Sequence, residues 1–125
     1  MEIKITKTTS PKAKPADESK LGFGKIFTDH MFLMNYDEGQ GWHDARVVPY
    51  GPISLDLGAV VFHYGQEMFE GMKAYTTEDG HIVVFRPDLN ASRMADSCRR
   101  LEMPVFPEDK FVEAVVKVVE ANAAF

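Results

Sequence analysis

Two glycine-bearing turns, each set between apolar runs, constrain this chain more than anything else in it. Asp37-Glu38-Gly39-Gln40-Gly41 offers two positions able to take positive φ. Before it, His30, Phe32, Met34 and Tyr36 alternate with Met31, Leu33 and Asn35. That run is apolar on both faces and predicts an internal strand. After it, residues 42–50 run back as a second strand, ended by Pro49 and Gly51-Pro52. Glu78-Asp79-Gly80 repeats the arrangement between strands expected over 69–76 and 81–86.

Helical spacing fills the intervals. Leu57, Val60, Val61 and Tyr64 fall at i, i+3, i+4 and i+7, which predicts a short helix over 55–63 closed by Gly65. The β-branched Val60-Val61-Phe62 offers a strand as the competitor. Pro87 stops the second hairpin, and Asp88 or Asn90 can cap a helix that ends near Leu101, before Pro104. Ala91, Met94, Cys98 and Leu101 form its inner stripe, with Arg93 on the flank between core and solvent. Pro107 opens a further helix, with Glu108 and Asp109 in its positive first turn. Phe111, Val115 and Val118, with Val112, Val116 and Val119, give it a wide apolar face. The expected fold is α+β: a mostly antiparallel sheet with helices packed on one face.

The chain has 125 residues, enough for one ordinary domain. Residues 1–20 carry Lys4, Lys7, Lys12, Lys14, Pro11 and Pro15 and show no hydrophobic period. They read as a flexible N-terminal arm, extended and of low order or docked on a partner surface, ahead of a folded part over 21–125. A net charge of −5 argues against a general nucleic-acid-binding surface. Cys98 is alone, so neither a disulfide framework nor a cysteine zinc site is expected. The first ten residues lack the apolar core of a signal peptide, and no apolar run approaches bilayer length. These features together read as a cytoplasmic protein with no membrane contact. Ala121-Asn122-Ala123-Ala124-Phe125 has neither Gly nor charge, as a cut inside a larger protein would leave.

Few residues advertise chemistry. His30, His43, His63 and His81 are scattered without a metal-ligand spacing, and hydrogen-bonded structural histidines are the expectation. Cys98 on a helix stripe reads as a buried inert thiol. Neither a Gly-x-Ser-x-Gly elbow nor a Gly-x-Gly-x-x-Gly phosphate loop occurs. Lys73, between Met72 and Ala74 on the expected strand, reads as solvent-facing or salt-bridged. Nothing in the spacing of Glu67 and Glu70 requires acid/base work. Arg93 has two readings that spacing leaves open: a planar fork for phosphate or carboxylate, or a surface arginine paired with Asp88 or Asp96. Tyr64 and Phe69 flank a glycine-containing turn, where they can line a pocket or plug the core.

The motif text carries more than the spacing. Phe27-Thr28-Asp29-His30-Met31, then His63-Tyr64 with Phe69-Glu70-Gly71-Met72-Lys73-Ala74, then Phe85-Arg86-Pro87 with Asn90 and Arg93, closely resembles the branched-chain amino acid aminotransferases. These are pyridoxal-phosphate enzymes of fold type IV, and the resemblance runs from about Leu21 to the last residue. It implies the N-terminal small domain of a two-domain homodimeric enzyme that moves an amino group between Leu, Ile or Val and 2-oxoglutarate. By motif position, Arg93 resembles the arginine that binds the cofactor phosphate. Tyr64, Phe69 and, less closely, Phe23 resemble walls of the substrate pocket. Family members run to over twice this length, and their Schiff-base lysine lies in the second domain. Lys73 does not match it, so no catalytic residue is assigned here. The isolated chain is expected to be inactive and not to hold the cofactor. A D-amino acid aminotransferase, an aminodeoxychorismate lyase and a non-catalytic binding or dimerisation module stand as alternatives.

Overall fold

The glycines of the first turn do what their lack of a side chain allows: Gly39 and Gly41 take φ of 86° and 78°. The computed structural model describes residues 1–125, an α+β chain that divides into two compact units. One is Met1–Gly51 with Val116–Phe125; the other is Pro52–Val115.

The first unit holds a three-stranded sheet. Strand β1 (Lys4–Ile5) pairs in parallel with β3 (Gly41–Pro49), and β2 (His30–Asp37) pairs with β3 antiparallel. The order is β1-β3-β2, so β3 is the internal strand. The sequence pointed to β2, because both its faces are apolar; it is an edge strand, half-buried over Met31 to Met34. Ladder pairing uses main-chain N–H and C=O, which need no side-chain pattern, and so a polar arm could supply the second neighbour of β3. Val47 at the centre is fully buried, Ala45 nearly so. Between Leu33 and Asn35 the register shifts, and Asp44 takes a left-handed φ of 56°. Arg46 holds this bulge through Nη1, which donates to the Asn35 side chain and to both the carbonyl and the carboxylate of Asp44, at 2.8–2.9 Å.

Residues 4–12 are docked against β2, β3 and the segment before β2, while Glu18–Lys20 forms a single 3-10 turn capped by Asp17. Lys12 N–H donates to Asp29 Oδ1 (2.9 Å), and its ammonium donates to the carbonyls of Phe27 and Thr28 while lying 5.0 Å from the Tyr50 ring. Phe27 stacks on Tyr50 at 4.7 Å. Thr8 N–H donates to His30 Nε2 (2.9 Å), which leaves Nδ1 as the protonated nitrogen of that buried ring, facing Asn122 Oδ1 at 3.2 Å. Asn122 also accepts from His30 N–H (2.9 Å) and donates to the carbonyls of His30 and Val118. A segment with no expected capping group is thus tied to β2 by one amide side chain.

The second unit starts late in helix. Asp56 Oδ1 accepts from Gly58 N–H (2.6 Å), and Asp56 C=O accepts from Ala59 N–H. This side-chain-closed turn delays the expected helix, and α1 is only Val60–Tyr64. Gly65 closes it at φ 61°, as its sequence position suggested. Strands β4 (Ala74–Thr76) and β5 (Ile82–Val84) pair antiparallel around a turn with Gly80 at φ 86°. Both are shorter than expected. Glu70 and Gly71 are bonded to the helix that follows β5, and Arg86 turns left-handed at φ 45° to start it.

That helix, α2 (Pro87–Arg100), begins with Pro87 at its first position and has no side-chain cap. Asp88 and Asn90, read as caps, lie inside it. The buried stripe is Ala91, Ala95 and Cys98; Met94 is half-buried and Leu101 exposed, so the helix is rotated toward its small residues. It ends in a paired turn, with Met103 N–H donating to Cys98 C=O and Glu102 N–H to Arg99 C=O. Glu102 takes the left-handed position at φ 55°. Helix α3 (Glu108–Ala121) follows Pro107 and carries its two acids in the first turn, as read. Its valine face is only half-buried; Ala114 is its one buried residue, after the buried Phe106.

Asn122→Ala removes the partner of a part-buried backbone N–H on β2. The expected loss is about 1.5 kcal/mol, read as a lower urea midpoint with faster amide exchange at His30.

Candidate functional site

Arg93 and Asn90 stand three residues apart on α2, and so on one face of it. Opposite them is the irregular segment leading into β4. Glu70 in that segment accepts two bonds from Arg93, Nε to Oε1 at 2.6 Å and Nη2 to Oε2 at 2.7 Å. Asn90 Nδ2 donates to Glu70 Oε2 and to the Gly71 carbonyl, each at 3.0 Å. The Glu70 side chain is 6% exposed and the Arg93 side chain 65%. A carboxylate taken out of water is therefore held by an arginine that remains largely in it.

The electrostatics follow. Arg93 donating to its charged form holds Glu70 below the usual carboxylate range; Asn90 adds to this, and burial works against it. The Arg93 guanidinium is held further above its usual value by the same pair. Glu70 therefore stays charged and is committed to Arg93. A guanidinium has five N–H donors in a planar fork, of which Glu70 takes the Nε–H and one on Nη2. Those that remain point away from Glu70, and an oxyanion fits that edge.

Neither carboxylate weighed as the surface partner of Arg93 is its partner. Asp88 pairs bidentately with Arg86, and Asp96 pairs with Arg99. The actual partner lies 23 residues away, on a segment that sequence assigned to a strand. Glu70 and Asn90 are the members of this cluster that sequence reasoning passed over. The available signal was that both sit inside the motif text around Phe69 and Arg86.

Tyr64 and Phe69 have their rings almost fully in solvent, at 87% and 86% exposed. Of the two readings open to them, neither plugs the core of the second unit. Phe69 directly precedes Glu70, so the bonds on Glu70 and Gly71 also fix the backbone that carries it. Phe23, 96% exposed, belongs to the first unit. Lys73 is exposed and lies just before β4 begins at Ala74. Each histidine has a hydrogen-bond partner: His30 as above, His43 with Asp37, His63 with the Leu57 carbonyl, His81 with Asp79. Cys98 is buried, and no group of three His, Cys, Asp or Glu side chains is placed to hold a metal ion. No helix is long and apolar enough to cross a membrane.

Comparison with known proteins agrees with the motif text. No protein-family model matches the chain. Its curated relatives are aminotransferases. More narrowly, the homologues of this chain are branched-chain-amino-acid aminotransferases. Branched-chain-amino-acid transaminase 1 of Bacillus subtilis is 52% identical over 118 residues, 94% of this chain and 33% of that protein. The branched-chain-amino-acid aminotransferase of Mycolicibacterium smegmatis is 48% identical over 125 residues, 98% of this chain and 34% of its own length. That of Mycobacterium tuberculosis is 46% identical across the whole chain and is covered over 35% of its length. The chain thus spans about a third of the curated relatives it matches.

Two outcomes follow from the Glu70–Arg93 pair. Its lowered carboxyl means the folded state binds fewer protons than the unfolded one. The pair's stabilisation is present above the ordinary glutamate range and is lost as pH falls through it toward the lower folded value. Glu70→Gln is therefore expected to flatten the acid limb of a plot of urea midpoint against pH. At neutral pH, Arg93→Ala is expected to lower that midpoint clearly and Arg86→Ala hardly at all. The Arg86–Asp88 pair is equally bidentate, but both its partners are exposed.

Proposed function

We propose that this chain is the N-terminal part of a branched-chain amino acid aminotransferase that moves an amino group between Leu, Ile or Val and 2-oxoglutarate. The observation that carries the reading is the 45–52% identity, over nearly the whole chain, to curated relatives bearing that name. On this reading residues 21–125 belong to the small domain of a fold type IV enzyme, preceded by the arm over 1–20. The working enzyme is a cytoplasmic homodimer whose second domain brings the Schiff-base lysine.

The donor set fits pyridoxal 5′-phosphate. A phosphate dianion accepts several N–H donors beside a positive charge, and the solvent-facing edge of the Arg93 fork offers donors and charge together. When bound, the cofactor supplies the electron-withdrawing ring that makes the Cα–H of an amino acid acidic. Arg93 would hold its phosphate. Tyr64 and Phe69 would line the pocket for the branched side chain, with Phe23 as a further wall. An exposed aromatic ring suits that task, since a Leu, Ile or Val side chain withdrawn from water onto such walls gains about 1.5–3 kcal/mol when fully buried. The names of the relatives favour this substrate class over D-amino acids or an aminodeoxychorismate.

The 125-residue chain alone is expected to release no keto acid from leucine and 2-oxoglutarate. The full-length enzyme is expected to do so, faster with leucine than with D-alanine, and to turn over no aminodeoxychorismate. Arg93→Ala in that enzyme should weaken retention of pyridoxal phosphate. Keto acid from the short chain, or a preference for D-alanine, overturns the proposal.

A further inference from the structure

We infer that Glu70 is a positioning residue: by gripping the Nε edge of Arg93, with Asn90 beside it, it aims the remaining N–H donors of the guanidinium at the cofactor phosphate. The inference rests on the reading of Arg93 given above and goes beyond it, to a residue with no cofactor contact of its own.

Three observations carry it. An arginine has four rotatable side-chain bonds, and one that is largely in water samples many of their combinations unless something fixes its far end. Here both bonds to Glu70 are short and lie in the plane of the fork, so they set the orientation of the guanidinium as well as its place. The carboxylate is itself restrained, because its side chain is out of water and bonded laterally by Asn90. Asn90 then ties the same point to the main chain through the Gly71 carbonyl. Phe69 is the residue before Glu70, so one buried carboxylate fixes both an aromatic wall and the anion-binding edge.

A purely electrostatic account gives the opposite sign. Glu70 offsets part of the positive charge of Arg93, and on charge alone its neutralisation would draw a phosphate in more tightly. Positioning requires that the phosphate be lost more easily. The sign of the change therefore decides between them.

The test uses the full-length enzyme and compares pyridoxal 5′-phosphate with pyridoxal, which lacks the phosphate. In E70Q, a near-isostere, pyridoxal phosphate is expected to bind about tenfold more weakly, the equivalent of one charge-assisted hydrogen bond. Pyridoxal should change by less than about twofold on the same grounds, so the ratio of the two affinities falls. A merely structural role would weaken both together. E70D, which keeps the carboxylate, should recover most of the ratio. N90A keeps the ion pair and removes its lateral amide; it should lower the ratio by about threefold and carries the test without touching the charge. Pyridoxal phosphate held as tightly or more tightly in E70Q, or an unchanged ratio in both E70Q and N90A, overturns the inference. R93A separates this from the functional reading. If R93A releases the cofactor and E70Q does not, only the role of Glu70 falls. If R93A has no effect, the phosphate assignment falls as well.

Discussion

A carboxylate withdrawn from water needs a cation and enough donors to satisfy its oxygens, and in this chain that requirement shapes the whole segment before β4. Glu70 is nearly inaccessible, and it meets the requirement with two bonds from Arg93 and one from Asn90. Those bonds hold residues 70 and 71 to α2. They also explain why β4 begins only at Ala74, although the text from Phe69 onward has strand composition. A strand there would have to give up the ion pair. The pairing of a buried charge outweighs a modest strand propensity, because the first is worth more than the second.

The other unit depends on main-chain accounting instead. β3 has neighbours on both sides, and one of them is a two-residue strand with no apolar signature. What recruits it is the open edge of β3, reinforced by contacts that use the polar character of the arm. Lys12 caps two carbonyls and lies against Tyr50, and Thr8 gives its N–H to a buried imidazole. Lys12, in an arm with no hydrophobic period, acts here as a carbonyl cap.

How much of this was legible varies with how local the signal is. Both turns, the left-handed Gly65, the acids opening α3 and the α+β class could be read from short windows, because glycine, proline and charge act on their immediate neighbours. The length of α1 could not, since Asp56 closes a turn that competes with the helix start. The rank of β2 in its sheet, the inward face of α2 and the partner of Arg93 are set by residues far away in the chain. Helical periodicity placed Met94 and Leu101 inside, yet the close packing chose Ala91, Ala95 and Cys98. The motif text singles out Arg93, whereas its partner Glu70 was visible and undervalued, because sequence spacing cannot tell a paired buried carboxylate from a solvated one.

His30 has a temporal consequence. Its backbone and ring are satisfied on one side by Thr8, 22 residues upstream, and on the other by Asn122, 92 residues downstream. At ribosomal rates of about 5–20 residues per second, the hairpin emerges several seconds before its last hydrogen-bonding partner exists. During that interval the outer edge of β2 has an unfilled N–H beside a half-apolar strand, the condition under which nascent chains pair with one another. During synthesis, the closing of the α3 end onto β2 therefore comes after the hairpin has emerged.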